Sequence, residues 1–372
     1  MKRRGSHIDR DKIGVLSFAG LGQLAASPLT RDVQSIRLRD HDLVEIMVDH
    51  AGIRRLGAGS RDLAVAEDLF LMIGGGPMAT RRDLANLRVS RDGVLRGIEL
   101  RNRLFPGPRP RKVAFNTFVK QDQDQRIHRR EIASRVNGEI FDLFPGWRIS
   151  DPASLEVWCF FVDARVRLGL RLTDERYRYR GRQPIERPGA LRPTIAAAMV
   201  ALADLSAGIR VLDPMCGGGT LLAEAARVDG VHVRGGDLDG EAVRIARSRD
   251  PDIQVDKWDA TALAGHVAAG QVDRVICNLP FGRQYSHGAD MAQLYESLIG
   301  HWRGLMATGG RLILLSADDA AMKRALGRLH LRRQRDERVK VLGLWSTISV
   351  VAAGPRPQAP DAVSAFGEQQ DE

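Results

Sequence analysis

The chain has 372 residues, 44% of them hydrophobic and 27% charged, with 56 Lys and Arg against 46 Asp and Glu for a formal net charge of +10. Such a length predicts two or three domains, each able to bury its own core, and the composition excludes fibrous and wholly disordered classes. The longest apolar runs, such as Leu312-Ile313-Leu314-Leu315, fall far short of the roughly 20 residues that a membrane-crossing helix needs.

The N-terminus opens basic, but Asp9, Arg10, Asp11 and Lys12 stand where a secretory signal would be apolar, so a cytoplasmic protein is expected. Three cysteines, Cys159, Cys216 and Cys277, are odd in number and widely spaced, which predicts reduced thiols and no metal cluster. The charge is uneven. Residues 1–200 hold 36 Lys and Arg against 24 Asp and Glu, whereas residues 201–372 hold 20 against 22. Within the first part, residues 101–200 hold 20 against 11, nearly all of the cations Arg, whose forked donors suit phosphate. This is the footprint of a nucleic-acid binder.

In chain order, residues 13–100 mix short apolar runs at 14–18 and 43–48 with a stretch at 64–73 that reads as helical, giving a small α+β unit. Residues 113–119 alternate as a strand does, and 127–144 carry apolar residues at helical spacing. Ile132, Val136 and Ile140 form one face of that helix, leaving Arg129, Arg130 and Arg135 for solvent or a ligand. Two more strands are predicted at 156–161 and 164–172, and Gly181-Arg182-Gln183-Pro184 with Pro188 and Gly189 reads as a linker. From Arg192 onward strands alternate with helices: strands at 210–213, 232–237, 253–258, 273–278, 311–316, 331–342 and 345–352, and helices at 193–203, 220–227, 240–248, 291–305 and 317–326. This is the pattern of a doubly wound, Rossmann-like sheet. The Pro-, Gln- and acid-rich tail after Gly354 is expected to be disordered.

Val211-Leu212-Asp213-Pro214-Met215-Cys216-Gly217-Gly218-Gly219-Thr220 is a strand ending in a carboxylate, then a glycine turn opening a helix. In such sheets ligands sit beyond the carboxyl ends of the strands, and glycines let backbone approach them. Gly235-Gly236-Asp237-Leu238-Asp239 ends the next strand in an acid placed for a ribose diol, with Asp239 read as a helix N-cap. Trp258-Asp259-Ala260 ends the third, where Asp259 can accept from an adenine amino group. The fourth ends in Cys277-Asn278-Leu279-Pro280-Phe281-Gly282. Asn278 can accept from an amine, Pro280 leaves a carbonyl available, and Phe281 offers a stacking face for a base. Methyl transfer to an amine from a sulfonium donor asks for little more than this alignment.

These motifs resemble those of the class I methyltransferases with an Asn/Asp-Pro-Pro-Tyr-type motif, and more narrowly the THUMP-domain tRNA guanine-N2 methyltransferases. The likeness rests on Arg187-Pro188-Gly189-Ala190-Leu191-Arg192-Pro193-Thr194, Asp213-Pro214-Met215-Cys216-Gly217, Gly236-Asp237-Leu238-Asp239 and Asn278-Leu279-Pro280-Phe281-Gly282-Arg283. It implies a seven-stranded, mostly parallel sheet over residues 191–354. Before that it implies a ferredoxin-like α+β unit at 1–60, a THUMP-like RNA-binding domain at 61–172 and a linker at 173–190. It implies S-adenosyl-L-methionine as cofactor, with Asp213, Met215, Gly217, Gly219 and Thr220 around its methionine part. Asp237 and Leu238 would hold the ribose side, and Asp259 and Ala260 the adenine.

By the same likeness Asn278, which also borders the cofactor, and the Pro280 carbonyl receive the target amine while Phe281 stacks, and Arg126, Arg129, Arg130 and Arg283 contact RNA, tRNA being the expected partner of a monomeric enzyme. The chain departs from the usual motif at Gly218, commonly Ser or Thr, and at Leu279, often Pro. Guanine N2 and adenine N6 are both exocyclic amines that this tip could take, in tRNA, rRNA or DNA. The alternative of another class is an idle RNA-binding protein on a methyltransferase scaffold.

Overall fold

The structure, a computed structural model, describes residues 10–30, 34–56, 63–106, 112–121, 127–180, 189–250, 253–281, 290–341 and 343–354. The chain divides into two compact units. One comprises Met1–Ala201 with Glu337–Thr347, the other Leu202–Asp336 with Ile348–Glu372.

The first unit holds β1 (Asp11–Phe18), α1 (Gly22–Ala26), β2 (Ser35–Arg37), β3 (His41–Val48), α2 (His50–Arg55), β4 (Asp68–Pro77), β5 (Arg88–Val89), α3 (Arg91–Leu104) and β6 (Ala114–Gln121). It continues with α4 (Arg129–Leu143), β7 (Arg148–Ile149), β8 (Leu155–Val162), β9 (Arg165–Arg171), α5 (Glu175–Arg178) and most of α6 (Pro193–Leu202). One sheet runs through it in the order β2-β3-β1-β4-β9-β8-β6-β7, with β5 on β4. β4 lies antiparallel to both β1 and β9 and so joins the two halves of the sheet.

Residues 64–73, expected to be helical, instead lead into β4. The run Leu69-Phe70-Leu71 is buried on both faces of a central strand, so it lacks the polar–apolar alternation by which a strand is read. α4 forms as its spacing dictates: Ile132, Val136 and Ile140 are all buried. Among the described residues, part of the arginine excess is structural. Arg171 and Arg178 hold the fully buried Asp68, which also accepts from Thr173 at 2.8 Å, and such a buried charge is tolerable only when paired this way.

The second unit holds β10 (Arg210–Asp213), α7 (Thr220–Ala225), β11 (His232–Asp237), α8 (Gly240–Arg249), β12 (Gln254–Lys257), β13 (Val272–Asn278), α9 (Met291–Leu305), β14 (Met306–Ser316) and α10 (Asp319–Arg328). β15 (Arg333–Val341) and β16 (Leu344–Ala352) complete its sheet, although the tip of that pair groups with the first unit. The strand order is β12-β11-β10-β13-β14-β16-β15, with β12, β11, β10, β13 and β14 all parallel. This is the expected seven-stranded Rossmann-like sheet.

Its core is built from strands that read as near-continuous apolar runs, Ile313 to Leu315 among them, and from the buried stripe of α9: Ala292, Tyr295, Leu298, Ile299, Trp302 and Leu305. Gly235 on β11 sits where a side chain has no room. A Cβ there would lie 2.6 Å from Leu222 and 3.0 Å from the Asp213 carbonyl.

Gly236 is more constrained still, since an added Cβ would sit 2.4 Å from the Asp256 carbonyl of β12 and 2.4 Å from the Trp258 ring. Gly236→Ala is therefore expected to destabilise this unit by about 1–3 kcal/mol, the usual range for overpacking, read as a lower urea midpoint. Gly240→Ala, whose Cβ would approach nothing nearer than Lys257 at 3.9 Å, is expected to leave the midpoint unchanged or raise it.

Candidate functional site

Because β12, β11, β10 and β13 are neighbouring and parallel, their carboxyl ends fall along one edge, and the polar residues singled out from the sequence lie at or just beyond those ends. Asp213 is the last residue of β10. Its carboxylate is buried and accepts the Met215 amide at 3.2 Å. Burial pushes this carboxyl from the ordinary aspartate value of 3.8 up to about 8. The nearby Asp237 charge acts in the same direction, while the Met215 amide and a hydrogen bond with Cys277 act against it.

The turn that follows closes through Gly219 N–H to the Cys216 carbonyl at 2.9 Å and Cys216 N–H to the Gly236 carbonyl at 2.9 Å. Gly219, at φ +78°, caps α7 in the left-handed region, and a Cβ there would meet Ala246 at 2.9 Å. Gly217 is also left-handed at φ +51°, but a Cβ there would meet nothing within 4 Å, so this stretch of backbone borders open space. Thr220 begins α7 and is buried.

Asp237, at the tip of β11, receives the Gly217 amide at 2.8 Å on one oxygen and the Asp239 amide at 3.0 Å on the other. Asp239 caps α8 by accepting from Glu241 N–H, as its position predicts. Between them Leu238 is 68% exposed, an apolar side chain standing beside a carboxylate. Asp259 is exposed and accepts the Thr261 amide at 2.9 Å and hydroxyl at 2.7 Å, which together lower its pKa. Ala260 is buried, and its carbonyl accepts the Trp302 indole N–H at 2.9 Å.

Asn278 ends β13 opposite Leu315 of β14. The Leu279 amide donates to the Leu315 carbonyl at 2.9 Å, so the turn at 279–281 grows directly from the ladder. Phe281 is half-buried. The Pro280 carbonyl, expected to be available, accepts the Tyr295 hydroxyl at 2.8 Å on one side.

Three aromatic residues hold these loops in place, and only Trp258 belongs to a motif singled out from the sequence. Trp258 donates to the Pro214 carbonyl at 3.0 Å, Trp302 to Ala260 and Tyr295 to Pro280. Two of the three sit on α9, where each also falls at a core-facing position of the helix and so carries no distinguishing mark in the sequence.

The site lies within the second unit. Of the expected RNA-contacting arginines, Arg129 and Arg130 open α4 in the first unit and are exposed, whereas Arg126 and Arg283 lie outside the described residues. Arg135, expected to face solvent or a ligand, instead donates to the Leu84 carbonyl at 3.0 Å and pairs with Glu139. All three cysteines are free and buried, and no helix of the described residues is long and apolar enough to cross a membrane.

Residues 180–347 match the family of RMKL-like methyltransferase domains. A tRNA (guanine(6)-N2)-methyltransferase of Thermus thermophilus is 29% identical over 255 residues, which cover 65% of this chain and 74% of that one. A human U6 snRNA (guanine-N(2))-methyltransferase, THUMPD2, is 35% identical over 136 residues, 35% of this chain and 26% of its own. Thus the chain spans about three quarters of the bacterial relative and about a quarter of the human one. Among solved structures, TrmN from Thermus thermophilus superposes with a TM-score of 0.67 at 22% identity, covering 92% of this chain and 99% of that one. Residues 180–347 are thus similar to methyltransferase domains, and the second unit has a Rossmann-like fold.

The raised pKa of Asp213 has a consequence for stability. The folded unit favours the protonated carboxyl, while the unfolded chain ionises it above about pH 4, so this stabilisation is complete below pH 4 and is lost as pH rises to about 8. Urea midpoints measured across that interval are expected to fall with rising pH in the wild type and to fall less in Asp213→Asn, which keeps the shape without the ionisation.

Proposed function

We propose that this chain is an S-adenosyl-L-methionine-dependent RNA methyltransferase that forms N2-methylguanosine in tRNA. The observation that carries the reading is the placement, along one sheet edge, of a carboxylate-and-glycine cradle beside a strand tip ending in Asn278, Pro280 and Phe281. The guanine-N2 methyltransferases among its relatives favour that base over adenine.

The cradle fits the cofactor. Gly217 borders open space in a conformation that a side chain would disfavour, and the exposed Leu238 beside Asp237 presents an apolar surface that an adenosine would cover. Asp213, Met215, Gly217, Gly219 and Thr220 would hold the methionine portion, Asp237 and Leu238 the ribose side, and Asp259 and Ala260 the adenine. When bound, the cofactor supplies an electrophilic methyl group.

The chain's own residues supply orientation. The Asn278 amide oxygen accepts one N–H of the guanine amine and the Pro280 carbonyl accepts the other. With both hydrogens held, the nitrogen lone pair is turned out of conjugation with the ring and toward the methyl donor. Phe281 holds the base plane once the nucleotide has left its stack. The surplus proton of the methylated nitrogen passes to water, since neither acceptor is basic enough to keep it. The first unit, with the exposed Arg129 and Arg130, grips the RNA by shape and phosphate contacts, and the enzyme works in the cytoplasm.

Nucleosides from tRNA treated with the protein and labelled cofactor are expected to contain N2-methylguanosine on mass analysis. Label in N6-methyladenosine would replace this reading with its adenine rival, and cofactor binding without transfer would favour the idle scaffold. Asn278→Ala is expected to lower kcat at least 100-fold with cofactor Kd within about twofold, whereas Asp237→Ala is expected to weaken cofactor binding first. Reversing Arg129 and Arg130 together to Glu is expected to weaken RNA binding and to lower the slope of log K against log salt by about 2; an unchanged slope moves the binding face elsewhere.

A further inference from the structure

We infer that Tyr295 is a positioning residue for the acceptor amine, acting through the Pro280 carbonyl. The inference rests on the reading that this carbonyl receives one hydrogen of the target amine. Tyr295 lies in the second turn of α9, a helix whose start is fixed by the Asp290 carboxylate accepting the Ala292 amide at 2.9 Å. The residue is fully buried, and its hydroxyl donates to the Pro280 carbonyl at 2.8 Å across 15 positions of sequence. Burial raises the phenol's pKa, so the group stays protonated and remains a donor throughout the working pH range.

A carbonyl oxygen has two lone pairs. With one occupied by Tyr295, the other is the only one left for the amine, and its direction is set. The effect extends one residue further because the peptide is planar. Fixing the Pro280 oxygen fixes the plane of the Pro280–Phe281 peptide and therefore the direction in which the backbone enters Phe281. One hydrogen bond thus orients both the acceptor and the root of the stacking ring. Proline leaves the turn with one fewer donor of its own, so this constraint has to come from elsewhere, and the core-facing stripe of α9 supplies it.

Tyr295→Phe removes the hydroxyl and keeps the ring that fills the core, so the protein is expected to fold with a nearly unchanged melting temperature. Two measurements then decide. In steady-state methyl transfer to tRNA, kcat is expected to fall about tenfold while the KM for RNA and the Kd for cofactor stay within twofold, as befits an alignment realised in the transition state. In hydrogen–deuterium exchange of the protein alone, peptides covering 278–281 are expected to exchange faster, with those covering 213–220 unchanged. An unchanged kcat, an equal loss of cofactor affinity, or unchanged exchange at 278–281 overturns the inference. If the wild-type chain transfers no methyl group to RNA, the RNA reading falls, and the exchange measurement still decides whether Tyr295 holds the turn.

Discussion

The carboxylate of Asp237 organises the carboxyl-end edge of the sheet in the second unit. Its two oxygens take amides from the glycine turn after β10 and from the entry to α8, so both segments share one anchor. Just before it, Gly235 and Gly236 pack against Leu222, the Asp213 and Asp256 carbonyls and the Trp258 ring with no room for a side chain. The Gly217 amide is spent on Asp237, while its Cα faces open space in which a side chain would meet nothing.

Tryptophan and tyrosine side chains complete this frame from the core side. Trp258, Trp302 and Tyr295 each place a buried ring in the interior and extend one polar atom to a carbonyl of a site loop. A buried donor left without a partner is costly, so each bond is retained strongly, and the loops inherit the rigidity of the packed helix and strands behind them. The site is therefore held from the hydrophobic core outward, with few contacts among its own polar side chains.

This division explains what the sequence made legible. The strand-end acids, the glycine turn and the Asn278–Phe281 tip are punctuation, local in sequence and dictated by backbone geometry, and they could be read directly. The α9 residues that hold them could not, because Tyr295 and Trp302 occupy positions where any large apolar side chain would satisfy the helix. β4 escapes the pattern for a related reason: a strand buried on both faces shows no alternation. The basic character of residues 101–200 was legible as composition, yet Arg135, Arg171 and Arg178 turn out to be bound to carbonyls and carboxylates, so raw charge overstates the surface left for phosphate.

The indole hydrogen bonds have an optical side as well. The chain has five tryptophans, and the two in the second unit, Trp258 and Trp302, are tied to carbonyls of loops at the carboxyl ends of the strands. An indole's emission colour and lifetime respond to the dipole its N–H faces. Those two indoles are therefore expected to report displacement of the loops, with no label attached and no residue altered.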